Sequence, residues 1–186
     1  MRAPRVRAAA ALAAFLVSAG AVSACSDAPS DGWKRLEGDR LTLEVPQGFT
    51  EGEGASEKWN LAVRDDGVSV QVADPYDNSR ILSSALGNMQ FAANRQMEGF
   101  TPGKVQDIEV EGADTALFQE FSYKDEGKPA TGAWIAVGQS QPPTTVIVTV
   151  SGTEADDDLI THVKDSLEYE HSDVVLDTDG KPVDES

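Results

Sequence analysis

Ala133-Trp134-Ile135-Ala136-Val137 and Val146-Ile147-Val148 set the architecture of this 186-residue chain. Both runs are continuously apolar and read as β-strands with two dry faces. Such strands belong in the middle of a sheet that is covered from both sides. Residues 139–143 carry Gln, Ser and Pro and turn the chain between them. Upstream, residues 116–123 bring Leu117, Phe118, Phe121 and Tyr123 into a further strand, closed by the turn Asp125-Glu126-Gly127-Lys128-Pro129. Val105, Ile108 and Val110 mark another, which starts at Lys104 and ends at Glu111-Gly112. Downstream, Thr153 is expected to start a final helix, with Asp156 completing a capping-box variant. Glu154, Asp157 and Asp158 suit the first turn of that helix and Lys164 its far end. Leu159, Ile160, Val163 and Leu167 form its apolar stripe.

The first half of the chain reads as strands. Leu41, Leu43 and Val45 alternate with Thr42 and Glu44, and Pro46-Gln47-Gly48 ends the run. Trp59, Leu61 and Val63 alternate with Lys58, Asn60 and Ala62. Asp65-Asp66-Gly67 is a hairpin signal, followed by Val68, Val70 and Val72 alternating with Ser69 and Gln71. Asp74-Pro75 is expected to stop that strand. Over residues 79–98 the period becomes helical, with Leu82, Leu86, Met89, Ala93 and Met97 on one stripe and Ile81 and Ala85 beside it. Asn78 or Ser79 is the expected cap and Gly99 the expected terminator. Phe91 falls opposite the stripe, and Phe100 follows the helix end. Either a neighbouring loop packs on Phe91, or Phe91 and Phe100 line an apolar ligand groove. Hairpin connections dominate, so the fold class is α+β: a mostly antiparallel sheet covered by helices. Residues 33–170 make one domain, long enough to hold a core by packing alone.

Ahead of that domain, Arg2, Arg5 and Arg7 precede an apolar stretch at residues 8–17 and small residues at 18–24. That is the layout of a secretory signal over residues 1–24, and the apolar stretch is short for a membrane span. The segment Val22-Ser23-Ala24-Cys25 resembles the lipobox of bacterial lipoproteins; Val22 stands where Leu is usual, and Ser23 and Ala24 match. The resemblance implies cleavage between Ala24 and Cys25 and acylation of the Cys25 thiol. Cys25 is the chain's one cysteine, so it has no disulfide partner within the chain. Residues 25–32 then read as the lipidated Cys and a short flexible tether. One acyl chain holds a protein to a membrane only weakly, whereas two or three on one residue anchor it stably. The formal net charge is −17, and a leader that removes three arginines makes it more negative. Such a surface is soluble and repels nucleic acid and anionic headgroups, so neither is an expected partner. Residues 171–186 are polar and acidic and read as a disordered tail.

The sequence assembles no catalytic or metal-binding set. His162 lies on the flank of the last helix and His171 at the tail, neither with a Cys or His at ligand spacing. Gly138-Gln139-Ser140-Gln141-Pro142 approaches a nucleophile elbow but sits between two strands and ends in Pro. Asp177-Thr178-Asp179-Gly180 has part of a calcium loop without its spacing. No cofactor, metal site or enzymatic activity is expected.

One resemblance extends over the domain. The opening WKRLEGDRLTLEVPQGF (residues 33–49) and the closing pattern Asp157-Asp158-Leu159-Ile160, Val163, Ser166-Leu167 resemble the LpqN-type lipoproteins of actinobacteria. Those are similar to PsbP-like α/β/α sandwiches, and the likeness covers residues 33–170. It implies an envelope-attached binding or accessory domain, with a lipid or glycolipid as one ligand, and carries no catalytic residues. The alternative is an adaptor or chaperone-like partner of another exported protein.

Overall fold

The computed structural model describes residues 29–78 and 81–172. The leader, Cys25, tether residues 26–28, Ser79 and the tail from residue 173 lie outside them. In chain order come β1 (Trp33–Glu37), β2 (Leu41–Pro46), β3 (Thr50–Glu51), β4 (Leu61–Asp65), β5 (Val68–Asp77) and α1 (Leu82–Gln96). There follow β6 (Glu98–Ile108), β7 (Thr115–Asp125), β8 (Lys128–Ser140), β9 (Pro143–Gly152), α2 (Asp157–Asp165) and β10 (Glu168–Tyr169). A seven-stranded sheet runs β3-β4-β5-β9-β8-β7-β6, and a three-stranded sheet runs β1-β2-β10. Neighbouring strands are antiparallel in both.

The two apolar runs are the central strands β8 and β9, as their composition requires. Alternate residues feed two cores. Ala133, Ile135 and Val137 of β8 join Val146, Val148 and Val150 of β9 and the valines of β5 on one face. Leu41, Leu43 and Val45 of β2 and Leu159, Ile160 and Val163 of α2 close that core. On the other face, Trp134, Ala136, Ile147 and Phe121 meet Leu82, Ala85, Leu86 and Ala93 of α1. The layers are therefore α1, the large sheet, and a shared layer of α2 with the small sheet. The alternation of β2 revealed one dry face but not the separate sheet that uses it. No helix among the described residues is long and apolar enough to cross a membrane.

Several element boundaries differ from the sequence expectation, each because tertiary pairing overrides a local signal. The strand expected to stop at Asp74-Pro75 runs on to Asp77, with a register shift between Ala73 and Asp77 that accommodates the proline. The strand expected from Lys58 starts at Leu61, and Ala62 and Val63 are both buried. Asn78 does not cap α1, and Ser79 lies outside the described residues; Ile81 is the N-cap, extended and 60% exposed, with no side-chain cap bond. Leu82 is the first side chain to reach the sheet, and the helix begins there. Gly99 does not end the helix, because Met97 is already extended (φ −103°, ψ 122°). Gly99 instead lies inside β6, which begins six residues before Lys104 because Lys124 of β7 finds a partner in Glu98. Two register shifts let this edge strand carry Gly99, Pro102 and Gly103, and they leave Val105 46% exposed. The last helix starts at Asp157, not Thr153; the Asp156 carboxylate accepts the Leu159 N–H at 2.8 Å, while Thr153 bonds the Gly67 carbonyl. β10 was not expected. It forms because the Tyr169 N–H donates to Glu111 O at 2.8 Å and Leu41 of β2 pairs with Tyr169.

Candidate functional site

The sequence-predicted site residues do not converge. Cys25 and Ala24 lie outside the described residues. Phe91 is 66% exposed on the outer side of α1, its ring 5.6 Å from the Arg95 guanidinium one turn on. Among the described residues no loop packs over it, so the loop-packed alternative does not hold there. Phe100 is half-buried and belongs to the core beneath α1, its ring 5.6 Å from Trp134 and 5.7 Å from Phe121. Phe91 is not part of that cluster, so the two phenylalanines do not form the walls of one groove.

A polar concave surface lies on the α1 side of the large sheet. α1 packs on β6, β7 and β8. The other half of that face, over β4, β5 and β9, opens into a groove of about 410 Å³. Its floor follows from strand alternation: the valines of β5 turn to the opposite core, so Ser69 and Gln71 turn to the groove, and Ser151 of β9 pairs with Ser69. Tyr123 of β7 stands beside the small residues Ala130 and Gly132 of β8 and lines the groove together with Ser151. A Cβ at Gly132 would stand 2.5 Å from the Phe121 ring, so no larger residue fits there. Burial pushes the Tyr123 phenol above its ordinary pKa, the neighbouring Ser151 side chain opposes that, and the Asp125 charge adds to it. The Gln71 carboxamide oxygen accepts the Ala55 N–H at 2.8 Å, leaving its amide donors. Thr149, next along this row from Gln71, has a buried hydroxyl with no partner among the described residues. Arg64, Glu53, Asp65 and Asp125 stand at the rim.

A second cleft, of about 220 Å³, lies where the tether meets the domain. The Trp33 and His162 rings stack at 3.4 Å and 11°. His162 Nε2 is 2.8 Å from Glu44 Oε2, and the Ser30 N–H donates to Glu44 Oε1 at 3.3 Å. The bond to His162 holds the Glu44 carboxyl below the usual carboxylate range, with burial opposing. Ser166 Oγ accepts the Glu44 N–H and donates to Val163 O. Arg35 pairs with Glu168 at the same cleft. These groups satisfy one another and tie β1 and β2 to α2; the arrangement is a clamp rather than an open site.

Asp74 does comparable work between the sheets. Its Oδ2 accepts the N–H groups of Arg40 (2.6 Å) and Leu41 (3.1 Å), fixing the β1–β2 turn onto β5. Burial raises its pKa, and these two bonds work against that rise. His171 and Ser172, the first residues of the predicted tail, lie against the fold: His171 Nε2 is 3.5 Å from Asp114 Oδ1, and the Ser172 N–H donates to Gln139 Oε1 at 2.8 Å. Sequence reading missed both polar sites. The only signal for the groove was the polar half of the β5 alternation, and nothing local linked Glu44 to His162.

No protein-family model matches the chain, and no curated protein matches it in sequence. Solved structures resemble it in fold. The Ran-binding protein Mog1p of Saccharomyces cerevisiae is 11% identical, over 75% of this chain and 96% of that one, with a TM-score of 0.53. LpqN of Mycobacterium tuberculosis, a protein involved in cell envelope biogenesis, is 15% identical over 70% of this chain and 83% of that one, with a TM-score of 0.49. PA94 of Pseudomonas aeruginosa, a protein of unknown function, is 18% identical over 67% and 85%, with a TM-score of 0.40. The chain has the Mog1/PsbP-like α+β fold, bears a distant structural similarity to LpqN, and shows no sequence family.

Proposed function

We propose that this chain is an exported lipoprotein, held at the outer face of the cell membrane through acylated Cys25, whose domain works by binding and not by catalysis. The observation that carries the reading is Cys25 itself: the chain's one cysteine ends a run of small residues after a basic and apolar leader. Eight residues later the first strand begins at Trp33, so the tether delivers the chain directly into the folded domain. Both histidines already have carboxylate neighbours, His162 with Glu44 and His171 with Asp114, which suits structural roles for them. The ligand expected is the polar end of a lipid or glycolipid, since Phe100 packs inward and the open groove is lined by hydroxyl, amide and carboxylate groups.

Cys25→Ser tests the anchor. The variant is expected to leave the membrane fraction, or to remain as unprocessed precursor, while the parent protein is membrane-bound and mature. A variant that matures to the parent size and stays with membranes refutes it. Native mass spectrometry of the detergent-extracted protein tests binding: a co-purifying lipid or glycolipid supports the reading. A co-purifying exported protein supports the adaptor alternative, which is favoured by Phe91 and Arg95 exposed side by side on α1, residue types enriched at protein interfaces. The same fold serves a Ran-binding protein in Mog1p, but a shared fold does not assign a partner. Turnover in an esterase and glycosidase screen counts against both.

A further inference from the structure

We infer that the groove over β4, β5 and β9 is a binding site for an uncharged saccharide, the sugar part of the ligand class proposed above, on which this inference rests. The floor is neutral and short: Ser69 and Ser151 offer hydroxyls, and Gln71, its oxygen taken by the Ala55 N–H, offers amide donors. These match ring hydroxyls, each of which donates and accepts. The rim carries three carboxylates, Glu53, Asp65 and Asp125, against the guanidinium of Arg64. Carboxylates accept from hydroxyl pairs but repel phosphate, sulfate and acidic sugars, and the chain's net charge of −17 adds to that exclusion. Tyr123 supplies an aromatic wall, and its ring packs on Phe121 with centroids 5.9 Å apart, so it is held in place before any ligand arrives. Thr149 Oγ1, buried beside this floor without a partner among the described residues, is a further hydroxyl on the same row. The groove volume, about 410 Å³, lies within the usual range for small-molecule sites and holds a short oligosaccharide.

The test is a glycan array probed with the purified full-length protein, carrying neutral oligosaccharides beside sialylated and sulfated ones, followed by NMR titration of the best neutral binder. Binding of neutral members, with amide shifts at Ser69, Gln71 and Ser151, is the expected result. Gln71→Ala and Ser151→Ala are each expected to weaken binding by about three- to tenfold, the loss of one or two neutral hydrogen bonds. Neither should shift the melting temperature by more than a few degrees. Tyr123→Ala should abolish detectable binding. The inference is overturned if no neutral oligosaccharide binds at about 10 mM, a concentration at which even millimolar affinity is visible. It is equally overturned if charged glycans bind instead, or if binding moves other residues and survives the groove substitutions. These outcomes leave the anchor and the co-purification results untouched, so the site can fail while the lipoprotein reading stands.

Discussion

Replacing Phe91 by alanine separates a surface side chain from a packed one. Phe91 is 66% exposed, so about a third of it is out of water. Full burial of a phenylalanine stabilises by about 1.5–3 kcal/mol, so the buried third contributes about 0.5–1 kcal/mol. The Arg95 guanidinium, 5.6 Å from the ring at an exposed site, adds about 0.5–1 kcal/mol. Alanine is the better helix former, which returns about 0.5 kcal/mol. The net cost is about 0.5–1.5 kcal/mol, or about 2–6 °C in a domain of this size. Leu86→Ala, one turn and a half earlier on the same helix but fully buried beneath it, is the internal reference at about 2.7–5 kcal/mol. Urea unfolding of both variants, with unchanged m-values, reads the two losses directly. A Phe91→Ala loss above about 2.5 kcal/mol, approaching that of Leu86→Ala, would mean that something covers the ring and would refute its placement on an open surface.

Other expectations follow from single contacts. Gly112 has φ 79°, and a Cβ there would lie 1.9 Å from the Tyr169 carbonyl oxygen, so Gly112→Ala should displace β10 and cost at least about 2 kcal/mol by thermal melt. Asp74→Ala leaves the Arg40 and Leu41 N–H groups unpaired and should cost about 2–5 kcal/mol, whereas Asp74→Asn keeps an acceptor oxygen and should cost less; equal losses would count against the bonds. The Glu44 and Asp114 carboxyls titrate below their ordinary values, so the stability they supply is present near neutral pH and lost as pH falls through the acid range. Asp74, with its pKa raised, has the opposite sign, stabilising most at low pH and least above its raised value. Melts between pH 7 and pH 3 of Glu44→Gln should therefore show a shallower acid-side decline than the parent protein, and a steeper one would contradict the His162 bond. Truncation after Tyr169 removes the Glu170 N–H bond to Arg40 O (2.7 Å) and the Ser172 N–H bond to Gln139, so it should be less stable than truncation after Ser172 by about 1–3 kcal/mol.

Local pattern carried much of the architecture. A run such as AWIAV has no wet face, so it required cover on both sides, and β8 received α1 on one and α2 with the small sheet on the other. The stripes Leu82-Leu86-Ala93 and Leu159-Ile160-Val163 likewise declared which helix faces needed burial. Element ends were less legible. Gly99 read as the end of the helix and Lys104 as the start of the next strand, yet β6 runs through Gly99, Pro102 and Gly103 with two register shifts because a long partner, β7, continues to pair. The candidate sites were least legible of all. Ser69, Gln71 and Ser151 form one floor because β5 and β9 are neighbours and α1 covers the other half of the sheet. Trp33, Glu44 and His162 meet only because α2 packs against β2, with 118 residues between the carboxylate and the imidazole. Periodicity states which side chains must leave water, a property of each segment alone; which surface receives them, and which polar groups then face one another, depends on long-range strand order and packing, to which no short stretch of sequence has access.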